Sequence, residues 1–338
     1  TLNINGALTE RLAEFYPDVV EDLRLVASNG QIEFTDSAKY HALLPFLPED
    51  EIERQISLNR ETNQGIIGKS YQPVGFFPPE MAYSSKMIPV LEKMGYKWII
   101  LDEIAKNGKL DKLDQPARPA GGLDKSVTYQ IKDSNLKVFF RERGPSNLIM
   151  SAMVREEKDL RYYMKEDYEK KEYMITGMDG ETFGHHRPGL QKLLTQLLIS
   201  KDFKHVFLGE LPAIFPQIEV ITPVDSTWAS SEKDIEEKIQ FISWNEPNNE
   251  IQKYQWELQR LALTQIKSNL PAGRQVLSNQ SARSKLDIGL ASDQFFWSSG
   301  RPWWSLEVIE LGAWTLLDAL RSLPPPDPKV SARAYELY

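Results

Sequence analysis

Cysteine is absent from all 338 residues, so disulfides and thiolate metal ligands are excluded and any metal would need His, Asp or Glu. Long apolar runs are missing too. No stretch approaches the roughly 18 to 20 residues that span a bilayer, and the first residues are neither basic nor followed by an apolar signal segment. The expectation is a soluble, cytoplasmic chain without a membrane partner. Blocks of Lys and Arg are also lacking, and 40 basic against 48 acidic residues leave a net charge of -8, so a nucleic-acid partner is not expected.

What remains is the balance of an ordinary soluble globular protein, 41% hydrophobic and 26% charged, long enough to bury a large core. Apolar residues recur at helical spacing from Gly6 to Ala27 (Leu8, Leu12, Phe15, Val19, Leu23, Val26), and Ser28-Asn29-Gly30 then stops the helix ahead of a short strand at Gln31 to Thr35. A helix from Pro48 to Leu58, a strand at Val74 to Phe77, a helix at Ser84 to Met94 and a strand at Tyr96 to Leu101 continue the alternation. Residues 105 to 145 break it with a Pro/Gly loop and a hairpin, Ser126 to Lys132 and Lys137 to Arg141 about Asp133-Ser134-Asn135. A helix from about Asn147 to Lys170, strands at Tyr173 to Thr176, His205 to Leu208 and Val220 to Thr222, and a helix at Pro188 to Ile199 resume it.

The C-terminal third reads as helices near 232 to 241, 247 to 269 and 305 to 322, with a surface loop at 270 to 280 and a tail from Pro324 to Pro328 too rich in proline for helix or sheet. The expected organisation is a (β/α) barrel over 1–225 with the 105–145 excursion, a helical region over 226–323 that completes a cleft, and a proline-rich tail over 324–338.

Four segments carry candidate chemistry. In Gly75-Phe76-Phe77-Pro78-Pro79-Glu80, an apolar strand ends in two prolines that fix the backbone presenting a carboxylate, at the strand end where parallel barrels keep their active sites. Glu80 could equally be an exposed acid favourable to a helix N-terminus. In Ile175 to His186, another strand runs into a turn holding Asp179, Glu181, His185 and His186 among glycines, an arrangement costly to build for packing alone, although Asp179 could be a local turn cap. Adjacent His185 and His186 would point about 100° apart on a helix and would not chelate one ion as an i, i+4 pair does. Glu33 lies near a third strand end, followed by His41, although a lone Glu and a lone His are more often surface or core residues than ligands. Ala291 to Trp297, with Arg301 and Trp303-Trp304 beyond, offers aromatic faces for sugar rings and Asp293 or Gln294 for hydroxyls, with helical core as the favoured reading of Trp303 and Trp304.

Together, in this order, these stretches resemble the second to fifth conserved regions of glycoside hydrolase family 57: Gly30 to Thr35, Phe77 to Glu80, Asp179 to Gly184 and Ser292 to Trp297. The resemblance implies an α/β fold, an incomplete (β/α)7 barrel of TIM-like type followed by a C-terminal helical region, acting on α-glucan chains with retention. It implies Glu80 as nucleophile and Asp179 as acid/base, with Glu33, Phe77, Glu181, His185, Asp293 and Trp297 contacting or supporting the sugar. An oligo- or polysaccharide is the implied substrate, with no cofactor and no metal. Phe77 stands where the family usually has Trp, keeping a stacking face without the indole donor. The family's first region, a His-Gln-Pro type motif, has no match, so the chain is expected to start inside the fold, lacking one barrel strand and part of a sugar subsite.

The expected reaction is a double displacement by two carboxylates, by hydrolysis or transfer. Two rivals are a non-catalytic carbohydrate-binding relative and a metal-dependent polysaccharide deacetylase using Asp179, His185 and His186. The second would need a further His pair at helical spacing, which is missing.

Overall fold

The computed structural model describes residues 1–110, 122–164, 170–269, 277–301, 303–323 and 327–338. The fold is α/β, and packing divides it into two compact units: 1–3, 29–35 and 72–228 form one, and 4–28, 36–71 and 229–338 form the other. A linear division at 225/226 does not capture this, because the helices between Ile4 and Tyr71 cluster with the C-terminal helices.

The first unit is built on a seven-stranded sheet: β1 (Leu2–Asn3), β2 (Phe34–Asp36), β3 (Gly75–Phe76), β4 (Trp98–Asp102), β5 (Thr128–Ile131), β6 (Lys137–Arg141) and β7 (Ile218–Ile221), in the order β1-β2-β3-β4-β6-β5-β7. Parallel pairing joins β1 to β2, β3 to β4, β4 to β6 and β5 to β7, while β5 and β6 form the antiparallel hairpin expected from the turn at 133–135. All five residues of β4 are buried, as a continuous Trp-Ile-Ile-Leu run flanked by parallel neighbours should be. Gly75 pairs with Trp98 across β3 and β4, and a Cβ on Gly75 would stand 2.0 Å from the Trp98 ring. Only a residue without a side chain lets that indole lie over the strand.

Tyr173 to Thr176 and His205 to Leu208 are not strands. The former has no ladder. Instead the Tyr173 N–H donates to the Lys125 carbonyl and the Glu142 N–H to the Ile175 carbonyl. The remaining bonds come from side chains: Ile175 N–H to Glu142 Oε1 at 3.1 Å and Gly177 N–H to Ser146 Oγ at 3.2 Å. The helix expected from 147 to 170 is two, Arg143–Met150 and Glu157–Met164, parted where Ala152 takes φ 58°; residues 165–169 lie outside the described residues.

In the second unit the helix expected over 6–27 is also two, Gly6–Phe15 and Pro17–Ser28, because Pro17 has no N–H to continue the first and suits the first turn of the next. Glu49–Ile67 opens on three acids that complement its dipole and ends at Gly68, φ 94°. Lys238 at φ 58° follows the short helix Glu232–Glu236, well inside the expected 232–241. Of the expected 270–280 loop, 270–276 fall outside the described residues and a helix, Leu277–Gly289, begins within the rest.

The tail is corrected as well. Pro328 occupies the first helical position, the Asp327 side chain accepts from Lys329 N–H at 2.8 Å, and a helix runs to Leu337. Proline there loses nothing, since that N–H has no intrahelical partner; residues 324–326 lie outside the described residues.

A buried ion network ties this unit together. Arg283 meets Glu51 at 2.9 Å and Asp287 at 2.7 Å, and Arg54 adds a second bond to Asp287 at 2.8 Å. No described helix is long and apolar enough to cross a membrane.

Candidate functional site

Glu80 follows β3 on a single 3-10 turn, Pro79–Met81. Its backbone is left-handed, φ 59° and ψ 16°, a conformation that costs an L-residue about 1 to 2 kcal/mol and that is retained where surroundings impose it. Pro78 and Pro79 hold the approach to it, and Met81 continues at φ 46°. The half-buried carboxylate accepts a hydrogen bond from the Trp228 indole N–H at 2.8 Å, and the Trp228 backbone N–H donates to the Glu80 carbonyl at 3.2 Å. Phe77 and Trp228 both pack on one apolar cluster that includes Met81, Trp98, Phe139 and Ile175.

Asp179 is exposed and stands at the N-cap position of the 3-10 turn Gly180–Thr182, where its backbone carbonyl, not its carboxylate, accepts the Thr182 N–H at 3.1 Å. The segment leading to it lies against the Glu80 turn: a Cβ at Gly177 would stand 3.4 Å from Met81 Cε and 3.4 Å from Arg141 Cδ. The Arg141 side chain is 3% exposed, and its Nε donates to the Gly177 carbonyl at 2.6 Å while Nη1 donates to Asp102 at 2.9 Å. Its guanidinium also faces the Trp228 ring at 5.7 Å. Burial pushes the Arg141 guanidinium down from its ordinary value, and Asp102 opposes that shift.

Glu33 is brought to a different place. It accepts from Leu208 N–H at 3.0 Å and Gly209 N–H at 2.9 Å. A Cβ on Gly209 would fall 2.5 Å from Glu33 Oε1. This carboxylate therefore holds the turn that the sequence suggested as a strand end. Glu181 and His185 are exposed beyond Asp179, with the His186 ring 4.9 Å from that of His185. Among the described residues no group of three or more His, Asp or Glu is gathered for a metal.

In the second unit, Asp293 is exposed at the start of the helix Asp293–Phe296, and half-buried Trp297 lies 6.4 Å from Trp303. The turn before Asp293 is pinned by His41: Nδ1 meets Ser292 Oγ at 3.2 Å, the His41 carbonyl accepts the Ser292 N–H at 3.1 Å, and Ala42 bridges Ala291. Trp303 and Trp304 are 58% and 53% exposed, not core. The chain folds through 303–305 without a helix to bury them.

Arg141 and Trp228 went unnoticed in the sequence. Trp228 is 148 positions from Glu80, and neither sits in a pattern that local spacing reveals. The concentration of tryptophan from 228 onward was the one available signal.

Comparison with known proteins agrees on one family. The model of glycosyl hydrolase family 57 matches residues 1–233. An α-amylase of Pyrococcus horikoshii is 23% identical over 205 residues, covering 60% of this chain and 30% of that protein. Alpha-amylase 1 of Dictyoglomus thermophilum is 26% identical over 103 residues, covering 30% and 15%. The chain thus matches less than a third of the length of either relative. A family 57 branching enzyme of Thermococcus kodakaraensis superposes with a TM-score of 0.72 at 18% identity, over 97% of this chain and 74% of that one. The 4-alpha-glucanotransferase of Thermococcus litoralis does so at 0.66 and 16%, over 95% and 51%. These two likenesses show the shared fold, the incomplete (β/α)7 barrel with a helical region. With a family match over well more than half of its length, the chain belongs to glycosyl hydrolase family 57.

Proposed function

We propose that this chain is a retaining enzyme of α-glucan chains, with Glu80 as nucleophile and Asp179 as acid/base. The observation that carries the proposal is the setting of Glu80: a strand-end carboxylate in a strained, proline-braced turn, oriented by an indole N–H and packed through Met81 against the segment that bears Asp179. Strain of this kind concentrates at working residues. The names of the relatives, amylases, a branching enzyme and a glucanotransferase, support an α-glucan as the substrate.

In the first step a Glu80 carboxylate oxygen forms a bond to the anomeric carbon as the glycosidic C–O bond breaks, and the departing oxygen takes the proton of the Asp179 carboxylic acid. In the second, Asp179 takes a proton from water or from a sugar hydroxyl, whose oxygen attacks the anomeric carbon and releases Glu80. Water gives hydrolysis and a sugar hydroxyl gives transfer. Phe77 would stack on a sugar ring, and Glu181 and His185 would reach hydroxyls; for Asp293 and Trp297, in the second unit, a sugar contact is proposed on the family resemblance alone. Glu33 would contribute by fixing the 208–209 turn.

The test is the product formed from a maltooligosaccharide, followed by NMR at the anomeric proton from the first turnover. Retention with loss of turnover in Glu80→Gln supports the proposal. An inverted first product, or turnover by the folded Glu80→Gln variant, would overturn it.

A further inference from the structure

The Arg141 side chain touches both halves of the candidate catalytic pair's support. Its Nε holds the Gly177 carbonyl, two residues before Asp179, at 2.6 Å. Its guanidinium faces Trp228, the residue that donates to Glu80. The remaining edge is anchored: Nη1 on Asp102 at 2.9 Å, and Nη2 within 3.3 Å of Asn147 Oδ1 and 3.5 Å of Met150 Sδ. Asp102 and Arg141 pair across β4 and β6, so the guanidinium is fixed to the floor of the sheet. We propose that Arg141 is a positioning residue that sets Glu80 and Asp179 relative to each other, a role that rests on the assignment of those two carboxylates.

The chemistry favours arginine. Its planar fork makes several hydrogen bonds of fixed direction while its face stacks on an indole, and lysine can do only one of these at a time. Ion pairing alone does not account for the arrangement, because Arg143 also binds Asp102, at 2.6 Å. Arg143 therefore supplies the comparison: it binds the same carboxylate, while the bond to Gly177 and the face toward Trp228 are those of Arg141.

Arg141→Lys, Arg141→Met and Arg143→Met would be compared with the parent chain in two measurements. Steady-state kinetics on maltooligosaccharides should show kcat lower by on the order of 10- to 100-fold in both Arg141 variants, as misplacement of reacting groups produces, with KM within about threefold and Arg143→Met within about twofold of the parent. An aryl glycoside whose leaving group needs no proton should recover part of the loss if Asp179 is displaced, and none if Glu80 is. The second measurement needs no turnover: the Trp228 indole N–H resonance, assigned by its loss in Trp228→Phe. It should move in Glu80→Gln and in Arg141→Met, and stay in Arg143→Met.

Equal loss of kcat in the Arg143 and Arg141 variants, or an unmoved indole resonance in a folded Arg141→Met, overturns the positioning role. If the parent chain turns over no glucan, the assigned reaction fails by itself, and the indole resonance alone decides whether Arg141 governs the Trp228–Glu80 contact.

Discussion

The Trp228 indole donates to the Glu80 carboxylate at 2.8 Å across 148 residues of sequence. The contact joins the segment after β7 to the turn after β3, and it makes the orientation of one acid depend on the last residue of the unit's sequence. Trp228→Phe keeps an aromatic ring at this position and removes the donor with the smaller ring that bears it. The expected outcome is a fall in kcat on the order of 10- to 100-fold with little change in KM, read from steady-state kinetics on a maltooligosaccharide.

Glu80 pays in stability for its backbone. At φ 59°, glycine meets no Cβ penalty, so Glu80→Gly should be more stable than Glu80→Ala by about 1 kcal/mol, and both should be inactive. Urea unfolding of the two variants measures the difference; equal midpoints would mean that the turn relaxes once the carboxylate is gone.

Gly75 leaves room for the Trp98 ring, which a Cβ would meet at 2.0 Å. Gly75→Ala should destabilise by about 1 to 3 kcal/mol, as overpacking does, and should lower activity as well, since Glu80 lies five residues on. Thermal denaturation together with kcat tests both parts.

In the second unit, Glu51→Leu strips the buried Arg283 of one of its two carboxylate partners. Removing one member of a buried network costs about 3 to 5 kcal/mol. The expected readout is a lower denaturant midpoint with an unchanged slope, and a loss below about 1 kcal/mol would mean that Asp287 suffices for Arg283.

What the sequence disclosed and what it withheld divide along one physical line. The hairpin about 133–135 was legible because its turn residues and flanking β-branched and aromatic runs are local, and β4 because a buried parallel strand is continuously apolar. Tyr173 to Thr176 looked like a strand for the same reason, yet beside two isolated backbone bonds it is held by the Glu142 side chain and, through Gly177, by Ser146 and Arg141. No periodicity records such partners. Trp303 and Trp304 misled in the opposite sense, since their bulk suggested core and they are exposed. The residues for Glu80 and Asp179 stood out through their motifs. Their supports, Trp228 and Arg141, carry no motif and emerge only from the fold.

The segment bearing Asp179 has no ladder; two isolated backbone bonds, to the Lys125 carbonyl and from the Glu142 N–H, and the side chains of Arg141, Glu142 and Ser146 hold it where a neighbouring strand would otherwise fix it. A ladder moves only when a sheet re-registers, an all-or-none change that flips every side chain. A segment held in large part by individual side chains can be shifted by single substitutions, while the Glu80 side keeps its place at the end of a paired strand. In evolutionary terms the Asp179 half of the proposed site is separately adjustable, so selection for a different leaving group or acceptor would have a short mutational path that leaves the sheet intact.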